Sequence, residues 1–221
     1  MPIKALIFDL DGTLVDTAPD LMAATNHALA VAGRPGISDT QLRQFVGHGS
    51  MALIKLGLEA TGGLPEEAEV LSLQDAFLHH YGNNIVAHSR VFDGVLPLLE
   101  TAAAHGLKMG VCTNKKEELS HKLLDEIGLA KYFSAVVGGD TLPNMKPNPE
   151  PYLEVARRMG VDAATTLMFG DSETDIRTAQ NVGVPVIAVS FGYTNAHVSS
   201  FNPTYVIDHY DEAWPLVRVL V

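Results

Sequence analysis

Four aspartates follow closely on two short apolar runs of the sequence. They are Asp9, Asp11, Asp171 and Asp175. The apolar runs, residues 5–8 and 166–169, are typical of buried strands, and ligands of open α/β sheets bind beyond the carboxyl ends of such strands. We therefore expect the four carboxylates to meet at one edge of a sheet. Carboxylates held together repel one another unless a cation joins them, and oxygen ligands without imidazoles favour Mg²⁺ over Zn²⁺, so the sequence predicts a magnesium site.

The spacing of Asp9 and Asp11 suits two roles in phosphorus chemistry. Residues two apart on a regular strand share a face, so one carboxylate can attack phosphorus while the other transfers protons. A carboxylate nucleophile gives an aspartyl-phosphate. Its partner must be protonated when the leaving alkoxide departs, and we expect crowding among the acids to raise the pKa of that partner.

Groups that can hold a phosphoryl group follow the other predicted strands. Thr113 and Asn114 follow one apolar run, and Lys146 lies in the loop after another. Hydroxyl, amide and ammonium groups in such positions stabilise phosphoryl oxygens. Gly12 allows the backbone to turn sharply and to present N–H groups. These four residues are the candidate phosphate-binding residues.

Short apolar runs without polar alternation recur along the chain. Besides the two above, they cover residues 109–112, 135–137 and 184–189. Such runs are typical of parallel strands that are buried on both faces. Helical periodicity separates them, over residues 95–105, 117–127, 150–159 and 174–181. This alternation predicts an α/β fold with a doubly wound, Rossmann-like parallel sheet.

One stretch of the sequence breaks the alternation of strands and helices. Between residues 16 and 88 the pattern is helical, with candidate helices at 20–32, 39–59 and 65–81. The simplest arrangement is an all-helical cap, residues 16–89, inserted after the first strand and above its carboxyl end. Residues 1–15 and 90–221 would then form the catalytic α/β core.

Two residues of the predicted cap are candidates for contact with a substrate. His48 lies between Gly47 and Gly49, and flexible glycines beside a polar side chain suit a cap that reaches into a closed site. Arg43 is one of three basic residues of the insert and is a candidate for binding a substrate carboxylate. For each residue the alternative is an ordinary surface side chain in contact with solvent.

The composition limits the classes of partner. Fifteen basic and 26 acidic residues give a net charge of −11, and so acidic a surface repels phosphate backbones. We therefore expect neither nucleic acids nor anionic membranes as partners. No apolar run approaches the roughly 18 residues of a membrane span, and the amino-terminal residues do not resemble a signal peptide. Cys112 is the single cysteine, so no internal disulfide forms; we expect a cytoplasmic protein, and its oligomeric state stays open.

Four motifs, in order along the chain, carry a resemblance to a known family. They are Asp-Leu-Asp-Gly-Thr at 9–13, Thr-Asn at 113–114, Lys-Pro at 146–147 and Gly-Asp followed by a further aspartate at 170–175. Together they are similar to the four motifs of the haloacid dehalogenase superfamily. The helical insert resembles the mobile cap of that superfamily's phosphatases, and within the superfamily the chain most resembles the phosphoglycolate phosphatases.

This resemblance implies roles for the motif residues. Asp9 would be the nucleophile and Asp11 the general acid and base. Mg²⁺ would be held by Asp9, the backbone carbonyl of Asp11 and Asp171, with Asp175 in or near the coordination shell. The superfamily's dehalogenases lack the second aspartate, so Asp11 favours a phosphatase. Its substrate would be a small phosphorylated metabolite, with 2-phosphoglycolate favoured.

Three alternatives to this interpretation stay open. A phosphosugar mutase of the same superfamily would return the phosphoryl group to a sugar, but those mutases carry a glutamate ligand where this chain has Gly170. A pyrophosphatase or nucleotidase would differ in substrate. A non-catalytic regulator would show damaged motifs, whereas all four are intact.

Overall fold

The computed structural model describes residues 1–43, 45–194 and 196–221 of the chain. Its strands are β1 (Ala5–Phe8), β2 (Val15–Asp16), β3 (Arg90–Val91), β4 (Lys108–Cys112), β5 (Ala135–Val137), β6 (Thr166–Gly170), β7 (Val186–Val189) and β8 (Tyr205–Ile207). Its α-helices are α1 (Ala18–Val31), α2 (Asp39–Arg43), α3 (Ser50–Ala60), α4 (Glu67–Asn83), α5 (Val95–Ala104), α6 (Glu117–Glu126), α7 (Glu150–Met159), α8 (Glu173–Val182) and α9 (Ala213–Val217).

Six of the described strands form one parallel sheet in the order β5-β4-β1-β6-β7-β8. The central strand β1 is buried at every residue. Its side chains alternate between two packed faces: Leu6 and Phe8 belong to one apolar cluster, and Ala5 and Ile7 belong to the other. Because both faces are covered, the strand needs no polar alternation. The predicted doubly wound α/β fold is confirmed.

The helices of the sheet-containing part begin and end close to the predicted positions. Gly160 caps the end of α7 and Gly183 caps the end of α8, with φ angles of 66° and 83° in the left-handed region that favours glycine. The sheet also contains β8, which the sequence did not predict. It is a three-residue strand at the sheet edge, in which Tyr205 and Val206 are partly buried and Ile207 is buried.

The helices α1 to α4 occupy the stretch that interrupts the pattern. The predicted single helix 39–59 is wrong, because the structure describes α2 and α3 as separate helices, with residue 44 outside the described residues. Gly47 and Gly49 lie between them with φ angles of 91° and 86°. A helix cannot continue through two residues in that region. Of the described helices, none is long and apolar enough to cross a membrane.

Two neighbouring segments connect these four helices to the sheet. Strand β2 pairs antiparallel with β3, which brings the chain into the helices and out of them side by side. Asp20 in the first turn of α1 is buried, and its carboxylate reaches the outgoing segment. It accepts hydrogen bonds from the backbone N–H of His88 at 3.0 Å, the N–H of Ser89 at 2.8 Å and the Ser89 hydroxyl at 2.7 Å. Asp20 thus fixes the two connections to each other.

Replacing Asp20 by alanine leaves the N–H groups of His88 and Ser89 without this acceptor. We expect the free energy of unfolding to fall by about 2–4 kcal/mol, since buried polar groups that lose their partner cost about 1–3 kcal/mol each. Urea unfolding followed by circular dichroism measures the change. Asp125→Ala, at an exposed position of α6, is the matched control; equal unfolding midpoints for the two variants would contradict the role of Asp20.

Candidate active site

Three buried carboxylates meet at the carboxyl end of the central strands. Asp9 follows β1, Asp171 follows β6 and Asp175 lies in the first turn of α8. One oxygen of each lies within 4.8 Å of the others. Strand β1 stands between β4 and β6, where the order of the parallel strands reverses, and such reversals are where open α/β sheets bind ligands.

Lys146 supplies positive charge to this cluster. Its Nζ lies 2.8 Å from Asp9 Oδ1 and 2.6 Å from Asp175 Oδ1, and the side chain is buried. Burial raises the pKa of Asp9 to about 7; the nearby ammonium of Lys146 opposes that rise and Asp175 adds to it. Burial also raises the pKa of Asp171, and the charges of Asp175 and Asp9 raise it further. One lysine therefore leaves the cluster short of positive charge.

The cluster has the properties of a site for a hard divalent cation. Asp9 Oδ1 is buried, and its neighbouring cation, the Lys146 ammonium at 2.8 Å, is shared with Asp175. Three buried carboxylates beside one shared ammonium leave negative charge that a further cation would balance. The donors are carboxylate oxygens, which Mg²⁺ prefers. The residues present therefore fit a magnesium ion.

Asp171 is held in place from two sides. The hydroxyl of Thr13 donates to Asp171 Oδ1 at 3.0 Å, and the backbone N–H of Tyr193 donates to Asp171 Oδ2 at 2.6 Å. Two glycines allow this close approach. A Cβ on Gly12 would lie 2.5 Å from Asp171 Oδ2, and a Cβ on Gly192 would lie 2.2 Å from Asp171 Cβ.

Gly12 itself closes a tight turn rather than pointing its N–H at the cluster. Its φ is 85° and its N–H donates to the Val15 carbonyl at 2.9 Å. The structure therefore shows Gly12 as a residue that leaves room for Asp171. Contact with a phosphoryl group stays a prediction.

Asp175 serves the helix and the cluster at once. Its Oδ2 accepts hydrogen bonds from the Ser172 hydroxyl at 2.6 Å and from the Ser172 N–H at 3.1 Å, which completes a capping box at the start of α8. Its Oδ1 accepts from Lys146. The two interpretations of Asp175, as a helix cap and as a member of the acidic site, are thus compatible.

Asp11 lies apart from the three clustered carboxylates and has its own cation. Lys115 Nζ contacts Asp11 Oδ1 at 2.8 Å and Oδ2 at 2.9 Å, and the hydroxyl of Thr17 donates to Oδ1 at 2.7 Å. The expected crowding of acids occurs around Asp9 and Asp171 instead. The sequence analysis did not assign Lys115 a role.

Asn114 and Thr113 organise the loops around the site. Asn114 Oδ1 accepts from the Lys146 N–H at 3.0 Å, while its Nδ2 donates to the carbonyls of Lys146 at 3.1 Å and Gly47 at 3.0 Å. The amide therefore holds the lysine loop and touches the segment between α2 and α3. Thr113 is buried, and its hydroxyl accepts from the Lys115 N–H at 3.2 Å. Phosphate binding by either residue stays a prediction.

His48 and Arg43, the two candidate substrate contacts of the helical insert, have different surroundings. His48 is exposed and, with Lys146, Ser172 and Tyr193, lines a cleft that reaches the lysine. Arg43 is partly exposed; its guanidinium lies 3.7 Å from Asp16 Oδ1 and 5.3 Å from the centre of the Tyr193 ring.

Tyr193 is a site residue that the sequence analysis missed. Its backbone holds Asp171, and its hydroxyl donates to Asp16 and accepts from the Ala18 N–H at 3.0 Å. It therefore joins the acidic cluster to the start of the helical insert. A signal was present, because Phe191-Gly192-Tyr193 follows a predicted strand just as the other site residues do.

Comparison with known proteins places this site in a family. The family model described as haloacid dehalogenase-like hydrolase matches residues 6–189, which include all the clustered aspartates and Lys146. The chain belongs to the haloacid dehalogenase-like hydrolase family. A phosphoglycolate phosphatase of Mesorhizobium japonicum is 43% identical over 206 residues, which cover 93% of this chain and 91% of the relative.

Solved structures agree with this assignment. A crystal structure described as a predicted phosphoglycolate phosphatase from Haemophilus somnus 129PT superposes with a TM-score of 0.92 at 29% identity, covering 97% of each chain. A β-phosphoglucomutase from Clostridium difficile has a TM-score of 0.82 at 19% identity over 98% of this chain and 96% of the other, and so shares the fold. The predicted family and the predicted class of enzyme, a phosphoric monoester hydrolase, are confirmed.

The close approach of Gly192 to Asp171 predicts opposite effects of two alanine substitutions. Gly192→Ala forces Asp171 or its strand end to shift, and we expect the free energy of unfolding to fall by about 1–3 kcal/mol. Gly82→Ala is the control, because its Cβ would meet Leu119 Cδ2 at an ordinary 3.6 Å within helix α4. That variant should be neutral or more stable by up to about 1 kcal/mol. Thermal unfolding compares them, and a Gly192→Ala variant as stable as the parent would refute the packing argument.

Proposed function

We propose that the protein is a Mg²⁺-dependent phosphatase that hydrolyses a small phosphate monoester through an aspartyl-phosphate on Asp9. The observation that supports this most strongly is the Asp9 carboxylate, buried within 4.8 Å of Asp171 and Asp175 with Lys146 as the neighbouring cation. Asp11, two residues along the chain, is our candidate for proton transfer.

In this mechanism the two motif aspartates act in turn. Asp9 attacks phosphorus, and the bond from phosphorus to the leaving oxygen breaks as Asp11 donates a proton to that oxygen. Asp11 then takes a proton from the water that hydrolyses the aspartyl-phosphate, so both carboxyl groups return to their starting states. Lys146, fixed through Asn114, would neutralise the phosphoryl oxygens, and the Thr113 hydroxyl would donate to them as well.

The magnesium ion would be held by Asp9, Asp171 and the backbone carbonyl of Asp11, with Asp175 in or near the coordination shell. When bound, it supplies charge neutralisation that lets an anionic carboxylate approach an anionic phosphate. Thr13 and Tyr193 hold the Asp171 carboxylate, so the geometry of that ligand is set by the chain itself.

We further propose that residues 16–89 act as a cap over a core of residues 1–15 and 90–221. Closure of the cap excludes bulk water and brings its side chains to the substrate. His48 lines the cleft to Lys146 and is our candidate for substrate contact, and Arg43 is retained as a second candidate beside Asp16. A cytoplasmic location and the absence of nucleic-acid or membrane partners remain predictions.

We propose 2-phosphoglycolate as the favoured substrate, on the basis of the named function of the relatives. The mutase alternative is weaker, because a Cβ at Gly170 would lie 2.3 Å from Asp175 Cβ and leaves no room for a glutamate ligand. Measuring phosphate release from phosphoglycolate, pyrophosphate, a nucleoside monophosphate and a hexose phosphate, alongside isomerisation of the last, separates these alternatives.

Asp9→Asn tests the covalent mechanism. The variant keeps the size of the side chain but removes the nucleophilic charge, so we expect turnover of a generic aryl phosphate to fall by about 10³-fold or more while the circular dichroism spectrum is unchanged. Asp125→Asn, exposed on α6, is the control and should retain activity. An Asp9→Asn variant with full activity would rule out the covalent mechanism.

Magnesium should stabilise the folded protein through the acidic cluster. At a concentration about 100 times its dissociation constant, a ligand of the native state adds about 2.7 kcal/mol to stability. We expect a higher unfolding temperature in MgCl₂ than in EDTA, and little Mg²⁺-dependent shift in Asp171→Asn. Equal shifts in the parent and in Asp171→Asn would remove Asp171 from the metal site.

A further inference from the structure

A small cavity lies beside Asp11, between the helical insert and the sheet-containing part. Its volume is about 40 Å³, and Leu53, Phe77 and Leu119 form its apolar walls. Asp11 and Lys115 also line it. If Asp11 protonates the leaving oxygen, the remainder of the leaving group must occupy space next to Asp11, and this cavity offers that space.

The hydroxyl of Tyr81 is the first sign that the cavity binds something polar. Tyr81 lines the cavity and is 1% exposed, and its hydroxyl has no hydrogen-bond partner among the described residues. Lys115 Nζ lies 4.5 Å from the centre of the Tyr81 ring, but an ammonium can only donate, so it offers no acceptor for the hydroxyl hydrogen. A buried hydroxyl without a hydrogen-bond partner can donate its hydrogen to an acceptor on a bound ligand.

Lys115 is the second sign. Its ammonium has three N–H donors, and the Asp11 carboxylate at 2.8 and 2.9 Å uses them on one side only. The side chain is buried, so water cannot freely serve the remaining donor. A second anion in the cavity can share this ammonium with Asp11.

The amino terminus of α3 adds a third source of positive potential. Gly49 and Ser50 line the cavity, and the helix begins at Ser50 without a side-chain hydrogen bond to its cap. The first N–H groups of a helix attract anions. The Ser50 hydroxyl accepts a hydrogen bond from Gln74 Nε2 at 2.9 Å, so its own hydrogen is available to donate.

We propose that this cavity binds the carboxylate of a short, acidic leaving group, with Lys115 and Tyr81 as its ligands. The inference rests on the proposed phosphatase function and adds the residues that would select an acidic substrate. Asp11 alone among the polar lining groups is an acid, and Lys115 already balances it. The apolar walls exclude water, which strengthens the attraction between the ammonium and the carboxylate.

The size of the cavity sets the length of the leaving group. A bound water needs about 10–15 Å³ of such space. A volume of 40 Å³ therefore holds about three or four non-hydrogen atoms, as in a carboxymethyl group. A sugar or a nucleoside does not fit without opening the cap.

A pair of substrates that differ in this one group tests the inference. 2-Phosphoglycolate and 2-hydroxyethyl phosphate both release an alkoxide that needs the same proton, but only the first carries a carboxylate. We expect the parent protein to prefer 2-phosphoglycolate in kcat/KM by about 30-fold or more, the effect of one buried charged pair. In Lys115→Met the preference should fall to within about threefold of unity. Any effect of the substitution on Asp11 acts on both substrates and cancels in the ratio.

Tyr81→Phe keeps the buried ring and removes only the unpartnered hydroxyl. We expect it to reduce the preference by about five- to tenfold, as for one hydrogen bond to a charged group. Lys131→Met removes an exposed positive charge outside the cavity lining and should leave the preference unchanged. A fall of equal size in Lys131→Met would show that net charge, not the cavity, selects the acid.

Each result separates the two proposals. A parent protein that hydrolyses an aryl phosphate but shows no preference for the acidic substrate overturns the carboxylate site and leaves the phosphatase function intact. A parent protein that hydrolyses no phosphate monoester overturns the proposed function itself. If Lys115→Met is inactive on both substrates, Tyr81→Phe decides: an unchanged preference in that variant overturns the carboxylate site.

Discussion

The structure depends on acidic groups that are buried with too little positive charge to balance them. Asp9, Asp171 and Asp175 meet within 4.8 Å, and Lys146 is the cation in contact with two of them. Burial makes the ionised state of these groups costly, as the raised pKa values of Asp9 and Asp171 show. The excess of buried negative charge destabilises the site when no further cation is bound. The same excess favours the binding of a metal ion.

The residues around the cluster hold these carboxylates in position but do not neutralise their charge. Thr13, Tyr193 and the capping box of α8 fix the oxygens of Asp171 and Asp175 in place. Gly12 and Gly192 remove the side chains that would push Asp171 away. Because these groups are already held in place, little free energy is lost in rearranging them when a charged substrate binds. Such preorganisation is the condition for electrostatic catalysis.

Asp11 is separated from this cluster by its pairing with Lys115. The two motif aspartates are thereby placed in different surroundings, one short of positive charge and one supplied with it. Different surroundings allow two carboxyl groups to take different roles in one reaction. The same lysine faces the cavity under the helical insert, so proton transfer and recognition of the leaving group are proposed to share one cation.

The sequence by itself was enough for the architecture and for the main residues of the acidic site. Unalternated apolar runs followed by aspartates predicted the parallel sheet and the meeting of Asp9, Asp171 and Lys146, because the carboxyl ends of parallel strands share one edge. It failed at β8 and at the break between α2 and α3, where short or glycine-containing segments carry a weak pattern.

Only the tertiary structure decided which partner each site residue has. Lys115 reaches Asp11 across 104 residues of sequence, and Tyr193 reaches the Ala18 N–H across 175. Such pairs depend on the order of the strands in the sheet and on the path of the loops above it. Neither is encoded in the local periodicity of the chain, and for this reason the cations and hydroxyls around Asp11 were found only once the helices and the sheet were seen packed together.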